Sequence, residues 1–243
     1  MSLAALSVSE ETTDKDWRFI SDEFEEASPE AVLRWAVEEF GLGVALATGF
    51  GAEGCVLVAM LSAISPGTRI FYLDTDLLFP ETCALRDQLE ARYGVHFERR
   101  ATNLSLGDQA AQYGERLWER EPDLCCSLRK VEPLREMLRG MRAWVTAIRR
   151  DQSPSRAKIS LVERDEKFGL IKINPLAAWS ARDVWNYIAK YDVPYNTLHD
   201  QSYPSIGCVP CTTPVQIGEI PRAGRWRGTG KNECGIHERV NGE

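Results

Sequence analysis

At residues 43–64 the chain reads GVALATGFGAEGCVLVAMLSAI. The run 43–48 is short and apolar, which is typical of a buried strand, and Cys55 to Ile64 predicts a helix. The glycine-rich turn Gly49-Phe50-Gly51-Ala52-Glu53-Gly54 joins them. Backbone N–H groups in such a turn, with the positive end of the next helix, can form an anion cradle. A tight turn without a ligand explains the same residues, and the missing Walker lysine disfavours phosphoryl transfer.

Strands and helices alternate on both sides of this stretch. Upstream, Ser28 and Pro29 begin a helix that Gly41 ends. Downstream, the pattern predicts strand 69–73, helix 80–93, strand 95–99, helix 126–139, strand 143–148, strand 170–173 and helix 180–191. Alternation of this kind predicts an α/β fold, a parallel sheet with helices on both faces.

The domain organisation follows from composition along the 243 residues. We expect an acidic N-terminal arm or loosely held helix at 1–27, an α/β domain at 28–200 and a flexible C-terminal segment at 201–243. The last of these is rich in proline, glycine and cysteine and has no long periodic element. No secretory signal or membrane-length apolar run is visible, so the expected compartment is the cytoplasm.

The net charge of −7 is unevenly distributed. Residues 1–40 carry eleven acids and three bases, whereas the rest of the chain holds 25 acids and 26 bases. The body of the protein is therefore neutral and can be basic locally, where an anion would bind. Such a balance disfavours nucleic acid as a partner, and nothing indicates a membrane. A homo-oligomer is compatible with the sequence.

Seven cysteines argue for metal or redox chemistry, because an odd number in a reducing compartment disfavours a disulfide framework. The pairs Cys125-Cys126 and Cys208-Val-Pro-Cys211 supply four thiols, which suit an iron–sulfur cluster or a structural zinc ion. Zinc sites more often use two spaced pairs, so the tandem favours a cluster. Cys55 and Cys83 lie on apolar helix faces and are assigned to packing.

Cys234 lies in a basic, glycine-rich tail. Four cations precede it and His237 follows it; the cations are Arg222, Arg225, Arg227 and Lys231. An electropositive setting favours the thiolate, which is a nucleophile, and the surrounding glycines are typical of a mobile flap. A solvated basic tail with a stray cysteine is the alternative.

Other polar residues are predicted to meet at one edge of the sheet. Asp74 ends strand 69–73, and Arg149 follows strand 143–148. The carboxyl ends of parallel strands border the crevice in which α/β proteins bind ligands. We therefore expect both side chains to face the glycine turn, although a plain surface loop is the alternative for Arg149. Arg129 and Lys130 follow the cysteine tandem, where they would offset thiolate charge and could reach an anion.

Six motifs together resemble the assimilatory sulfonucleotide reductases, in the order of that family and from about residue 28 to His237. They are TGFGAE (48–53), YLDTDLLFPET (72–82), CCSLRK (125–130), AIRRDQSPSR (147–156), CVPC (208–211) and ECGIH (233–237). The two cysteine pairs resemble the iron–sulfur branch, which reduces adenosine 5′-phosphosulfate. Gly49 and Gly54 depart from the family's usual serine and aspartate, and Ala147 from its usual glycine.

The resemblance implies an adenine nucleotide α-hydrolase-like (PP-loop) fold and an oxidoreductase of sulfate assimilation. The reaction implied gives sulfite and AMP: Cys234 attacks the sulfate sulfur, and thioredoxin releases sulfite from the S-sulfocysteine. A [4Fe–4S] cluster would be bound by Cys125, Cys126, Cys208 and Cys211. The implied substrate contacts are Gly49, Phe50, Gly51, Asp74, Lys130, Arg149, Arg222, Arg225 and His237.

Three other functions are considered. One is reduction of 3′-phosphoadenosine 5′-phosphosulfate instead. Another is a cluster-bearing PP-loop enzyme that adenylates a substrate such as tRNA and installs sulfur; it needs an intact loop with lysine and aspartate and a basic face, which this sequence lacks. The third is a non-catalytic nucleotide sensor in which Cys234 reports redox state.

Overall fold

The structure is a computed structural model that describes residues 13–237, so the ends of the predicted ranges 1–27 and 201–243 lie outside the described residues. The strands are β1 (Val44–Ala47), β2 (Arg69–Leu73), β3 (Phe97–Arg100), β4 (Ala143–Val145), β5 (Val162–Asp165) and β6 (Leu170–Ile173). The α-helices are α1 (Asp14–Glu23), α2 (Pro29–Phe40), α3 (Ala52–Ile64), α4 (Pro80–Tyr93), α5 (Leu106–Tyr113), α6 (Leu117–Arg120), α7 (Pro122–Cys126), α8 (Glu132–Leu138) and α9 (Ala181–Tyr191).

The six strands form one sheet in the order β3-β2-β1-β4-β6-β5. All neighbouring pairs are parallel except β5 with β6. The chain moves outward from β1 through β2 to β3 and then returns to the other side of β1 with β4. The switch between β1 and β4 opens a crevice at the carboxyl ends of the strands, which is where such sheets bind ligands.

Alternate side chains of the strands fill two separate apolar layers. Leu46 points into the layer that α2, α3, α4 and α9 cover, whereas its neighbour Ala45 points to the side of α8. Trp144, in the middle of β4, is almost fully buried on the α8 side. The predicted α/β fold with helices on both faces is therefore confirmed.

The best predicted elements have strong end signals. Ser28 accepts a hydrogen bond from the N–H of Ala31 at the start of α2. Pro80 begins α4, and Gly94 ends it in the left-handed region at φ +63°. Both helices have the predicted bounds because a cap and a glycine locate a helix end better than periodicity does.

The glycine turn is shorter than predicted. Gly51 is the extended N-cap residue of α3, so the helix begins at Ala52 rather than at Cys55. Glu53 and Gly54 consequently belong to the first helical turn and not to the loop. Only Thr48 to Gly51 remains as the turn between β1 and α3.

Several elements differ from the predictions. The helix predicted for 126–139 is instead α7, a π-helical turn at Ser127–Val131 and α8. Pro133 lies at the start of α8, beyond the π turn. The strand β5 and the helices α5 and α6 are short elements of mixed polarity, and the sequence pattern does not predict them.

The N-terminal arm is, from Asp14 onward, a packed helix. Its residues Trp17, Ile20 and Phe24 are buried in the layer that α2 and α3 share. The hydroxyl of Ser21 accepts hydrogen bonds from the backbone N–H groups of residues 161 and 162. The expected helix is thus present in this part, but it is not loosely held, because three apolar side chains on one of its faces are buried in the core despite the acidic composition.

Among the residues that the structure describes, none of the helices combines the length and the apolar character that a bilayer crossing needs.

Candidate active site

A cavity of about 340 Å³ opens at the carboxyl edge of the sheet. It brings together most of the residues that the resemblance implied for the site. Those in its wall are Gly49, Gly51, Lys130, Arg149, Arg222, Arg225, Cys208, Cys234 and His237. Phe50 and Asp74, which the sequence analysis also predicted as contacts, do not line it.

The glycine turn presents backbone rather than side chains to the cavity. The Phe50 ring is buried against Tyr72 and Phe97, with ring centroids 5.4 and 5.1 Å away. Phe50 has φ +57°, and its N–H donates to the hydroxyl of Thr48 over 3.1 Å. A Cβ built on Gly49 would meet no atom within 4 Å. The turn therefore leaves open space on the cavity side of its backbone, and the buried Phe50 ring anchors it on the core side.

Asp74 faces away from the cavity. One of its carboxylate oxygens accepts from the guanidinium of Arg99 over 2.6 Å, and the other accepts from the N–H of Asp76. The next residue, Thr75, lines the cavity instead, and its hydroxyl lies 3.3 Å from the Cys208 sulfur. The reasoning from strand ends found the right edge of the sheet but missed the residue by one position.

Arg149 is buried between two carboxylates. Its Nε donates to Glu53 over 2.9 Å, and its Nη1 donates to Asp151. Glu53 also accepts from the side-chain amide of Gln152. These bonds join the first turn of α3 to the loop after β4, so Arg149 shapes the cavity wall with its charge already balanced. The adjacent Arg150 turns outward to Glu25.

The π turn after the cysteine tandem separates two adjacent cations. Arg129 is 1% exposed and donates to Gln109, Asp76 and the carbonyls of Thr75 and Leu104. Lys130 instead lines the cavity. Burial lowers the pKa of Lys130, but the neighbouring charges of Cys208, Cys234 and Cys126 raise it above its usual range. Lys130 is therefore a cation held among thiols.

The four cysteines predicted as ligands are free thiols in one neighbourhood. Burial raises the pKa of Cys125, of Cys126 to about 12 and of Cys211 to about 11, and the charge of Cys208 adds to the rise in each. Burial would also raise the pKa of Cys208, but Lys130, Thr75 and Arg225 bring it below its usual value. Within residues 13–237, no three histidine, cysteine or acidic side chains meet closely enough for a single metal ion.

The C-terminal segment covers the cavity. Arg222 donates to the carbonyl of Asn232 over 2.6 Å and to Glu233 over 3.1 Å. Burial lowers the pKa of Arg222 to about 10, which leaves the guanidinium charged at neutral pH. Arg225 donates to Ser205 and the carbonyl of Ile206, but its Nε is buried without a partner among the described residues.

His237 stacks on Trp144, with ring centroids 5.7 Å apart and planes 10° apart. Burial holds the pKa of His237 well below its usual 6.5, and the cations Lys172, Arg156, Arg222 and Lys167 lower it further. Its Nδ1 is buried and has no partner in the described part of the chain. A neutral imidazole therefore lies in the cavity wall, three residues after Cys234.

The sequence analysis assigned no role to Thr75, Arg156, Trp226 or Glu233, all of which line the cavity. Trp226 has φ +45° and lies among Arg225, Lys231 and Lys130, 4.4 to 6.0 Å from its ring. Arg156 is the last residue of the motif at 147–156, and Glu233 is the first residue of the motif at 233–237. Their places in these motifs were the only sign in the sequence that they belong to the site. Their pairing depends on tertiary structure and could not be read from either motif.

Known proteins match this chain over most of its length. The phosphoadenosine phosphosulfate reductase domain matches residues 43–214. A Salinibacter ruber protein named adenosine 5′-phosphosulfate reductase is 51% identical over 90% of this chain and 87% of its own. A Gloeobacter violaceus protein named phosphoadenosine 5′-phosphosulfate reductase is 47% identical over 90% and 92%.

A solved structure agrees with these sequence matches. The phosphoadenylyl-sulfate reductase from Candida auris, crystallised as a phosphate complex, superposes with a TM-score of 0.73 at 34% identity. The match covers 85% of this chain and 100% of that one. The domain match covers the first five of the quoted motifs together with the residues between them, and it ends before the motif at 233–237. The chain belongs to the sulfonucleotide reductase family, the family of the phosphoadenosine phosphosulfate reductase domain.

Proposed function

We propose that this protein reduces adenosine 5′-phosphosulfate to sulfite and AMP in sulfate assimilation, with Cys234 as the nucleophile. The observation that carries the proposal is that Cys234 shares one cavity wall with the glycine turn and the cations of Lys130 and Arg225. The names of similar curated proteins from Salinibacter ruber and Lysinibacillus sphaericus support the substrate. The thiol chemistry requires a reducing compartment, for which we propose the cytoplasm.

In the first step the Cys234 thiolate attacks the sulfate sulfur. A new sulfur–sulfur bond forms, the bond from sulfur to the bridging oxygen breaks, and AMP leaves with that electron pair. Two unit negative charges about 4 Å apart repel by about 4 kcal/mol at an effective dielectric constant of 20. Lys130 and Arg225 offset this repulsion, and the open backbone of the glycine turn receives the nucleotide phosphate.

In the second step a dithiol reductant regenerates the enzyme. One of its thiolates attacks the Cys234 sulfur and expels sulfite, and its second thiol resolves the mixed disulfide. The dithiol supplies the two electrons that the sulfur gains. We propose thioredoxin as this dithiol, and residues 201–243 as a flap that must expose Cys234 to it.

We further propose a [4Fe–4S] cluster on Cys125, Cys126, Cys208 and Cys211. The donor set fits, because all four are free thiols, three are buried and Cys211 is half-buried, and Cys208 lies close enough to interact electrostatically with the other three and with Lys130. Such a cluster takes one thiolate per iron and does not need three ligands on one ion. When bound, it would supply a fixed negative charge beside Lys130. Anaerobically purified protein should be coloured and contain iron, and colourless protein with zinc alone would contradict this assignment.

Cys234→Ser tests the nucleophile. We expect sulfite release from adenosine 5′-phosphosulfate with thioredoxin to be lost in this variant, since serine cannot form the S-sulfo intermediate. Cys83→Ser is the matched control, because Cys83 lies on α4 outside the cavity wall. Mass spectrometry of protein mixed with the nucleotide alone should find the sulfo adduct on Cys234. Undiminished sulfite release by Cys234→Ser would exclude the mechanism.

The second candidate substrate is 3′-phosphoadenosine 5′-phosphosulfate, which the names of the Gloeobacter violaceus and Candida auris proteins favour. Sulfite production from the two nucleotides, each with and without thioredoxin, separates the candidates. We expect the higher kcat/KM with adenosine 5′-phosphosulfate. The opposite ratio would assign the protein to the second substrate and leave the roles of the residues unchanged.

A further inference from the structure

The residue before Cys234 carries a buried carboxylate. Glu233 is 8% exposed, and both of its oxygens accept hydrogen bonds. Arg156 donates to it as a fork, from Nε to Oε1 over 2.8 Å and from Nη2 to Oε2 over 2.7 Å. Arg222 adds a third bond to Oε2 over 3.1 Å. Paired donation from one guanidinium fixes direction as well as distance, so residue 233 has a defined orientation.

The two arginines belong to different parts of the molecule. Arg156 ends the short helical turn after the β4 loop, is itself buried, and also donates to Gln152. Arg222 lies in the C-terminal segment, where it holds the carbonyl of Asn232. The carboxylate of Glu233 therefore joins the C-terminal segment to the α/β body at the position next to Cys234.

Three other contacts hold the same segment. Lys231 pairs with Asp123, Lys167 donates to the carbonyl of Gly235, and His237 stacks on Trp144. The Lys231 side chain is 7% exposed, but Asp123 is 85% exposed, so water screens one partner and reduces the contribution of this pair to stability. Removing one partner of a buried, hydrogen-bonded pair has a much larger effect. Among these contacts, Glu233 is the buried ionic one.

We propose that Glu233 is a positioning residue for the reaction: by occupying Arg156 and Arg222 it holds Cys234 over the cavity. This inference rests on the proposed function of Cys234 as the nucleophile. Burial alone would raise the pKa of Glu233, but Arg156 and Arg222 bring it below its usual value, so the carboxylate is charged at neutral pH. It also balances positive charge that would otherwise remain buried beside the thiol.

A different role for the same carboxylate is that of a placeholder, which the anionic substrate displaces from the arginines. The geometry favours positioning. Arg156 is anchored in the α/β body by its bond to Gln152, and Arg156 and Arg222 together donate three hydrogen bonds to Glu233 that an incoming anion would have to replace. The incoming anion still has Lys130 and the unpaired Nε of Arg225 in the cavity wall.

Glu233→Gln tests the proposal, since it keeps the shape of the side chain and removes the charge. We expect the single-turnover rate of S-sulfocysteine formation to fall about a hundredfold, because small misplacement of a nucleophile has effects of that size. The KM for the nucleotide should stay within about threefold, as expected when only the transition state is affected. Glu219→Gln is the matched control, because Glu219 pairs with Arg227 in the same segment but at the surface.

A second measurement does not depend on catalysis. Without nucleotide, the rate at which iodoacetamide alkylates Cys234 should rise at least about tenfold in Glu233→Gln, since loss of a buried ion pair opens the segment more often. Arg156→Lys should have the same effect, because lysine cannot form the fork. If Glu233→Gln lowers KM and speeds turnover, the carboxylate is a placeholder. If the alkylation rate is unchanged, the positioning role is wrong, and this holds whether or not Cys234→Ser retains activity.

Discussion

At the scale of single residues, the space available to a side chain at position 54 is limited by Thr48, on the other side of the glycine turn. Gly54 lies in the first turn of α3, where a Cβ would come within 2.6 Å of the Thr48 hydroxyl. That hydroxyl accepts the N–H of Phe50 and so supports the glycine turn. The family that the motifs resemble usually has an aspartate at this position. In this chain Thr48 fills the space that such a side chain would need.

We expect Gly54→Ala to lower the free energy of unfolding by about 1–3 kcal/mol, as overpacking does. In an open helix position the same change would raise it by about 1 kcal/mol. Thr48→Ala should relieve the clash, so the double variant Thr48→Ala/Gly54→Ala should be more stable than the sum of the single effects predicts. Urea denaturation of the unsubstituted protein, the two single variants and the double variant measures this coupling energy. Additive changes in the free energy of unfolding would mean that the two side chains are not in contact.

At the same scale, side-chain direction was the part of the site that the sequence could not supply. The strand ends predicted which loops border the cavity, and Gly49, Lys130 and Cys234 do lie in its wall. Phe50 and Asp74 do not, because φ +57° turns one into the core and Arg99 binds the other outside. Both outcomes depend on contacts with residues far away in the sequence.

At the scale of elements, capping residues and apolar runs predicted the bounds of those helices and strands whose ends depend on local interactions. The helix α4 and the strand β2 have the predicted bounds, since Pro80, Gly94 and an uninterrupted apolar run mark their ends. The strand β5 was missed because its sequence VERD is polar at three of four positions and gains its pairing only from β6. The π turn also escaped prediction, since it widens the helix by a single residue without changing the composition.

Because the π turn places Arg129 in the core and Lys130 in the cavity wall, we expect substitution of Arg129 to lower stability and substitution of Lys130 to lower activity. Arg129→Met should lower the free energy of unfolding by about 3–5 kcal/mol, because it removes the donor to the buried Gln109 and to the carbonyls of Thr75 and Leu104. The carboxylate of Asp76 would also lose this donor and keep its bond from Arg99. Lys130→Met should leave stability nearly unchanged but lower kcat/KM for sulfite formation by about 10²–10³, as loss of a charged donor to the reacting group does. Each variant is the control for the other in urea denaturation and activity assays at equal iron content. Equal losses of activity at unchanged stability would show that the π turn does not separate their roles.

At the scale of the whole molecule, the acidic N-terminal stretch is part of the charge balance of the body. Glu25 pairs with both terminal nitrogens of Arg150, and Glu39 lies 3.9 Å from Arg142. Neither Arg150 nor Arg142 lines the cavity, and Arg142 lies at the opposite, amino end of β4, whereas Arg222 and Arg225 are in the cavity wall. The acidic stretch thus balances cations that lie outside the cavity wall.

The same stretch should also contribute to global stability through α1. Phe24 is fully buried, with its ring 5.2 Å from that of Trp35, so Phe24→Ala should lower the free energy of unfolding by about 3–5 kcal/mol. Phe19 is on the opposite face of α1 and 55% exposed, and Phe19→Ala should change it by less than about 0.5 kcal/mol. Urea denaturation followed by far-UV circular dichroism compares the two. A small effect of both variants would mean that α1 folds apart from the core. A large effect of Phe24→Ala alone would make α1 part of the α/β domain, because the two faces of α1 differ in their contribution to stability only when the helix is docked on α2 and β5.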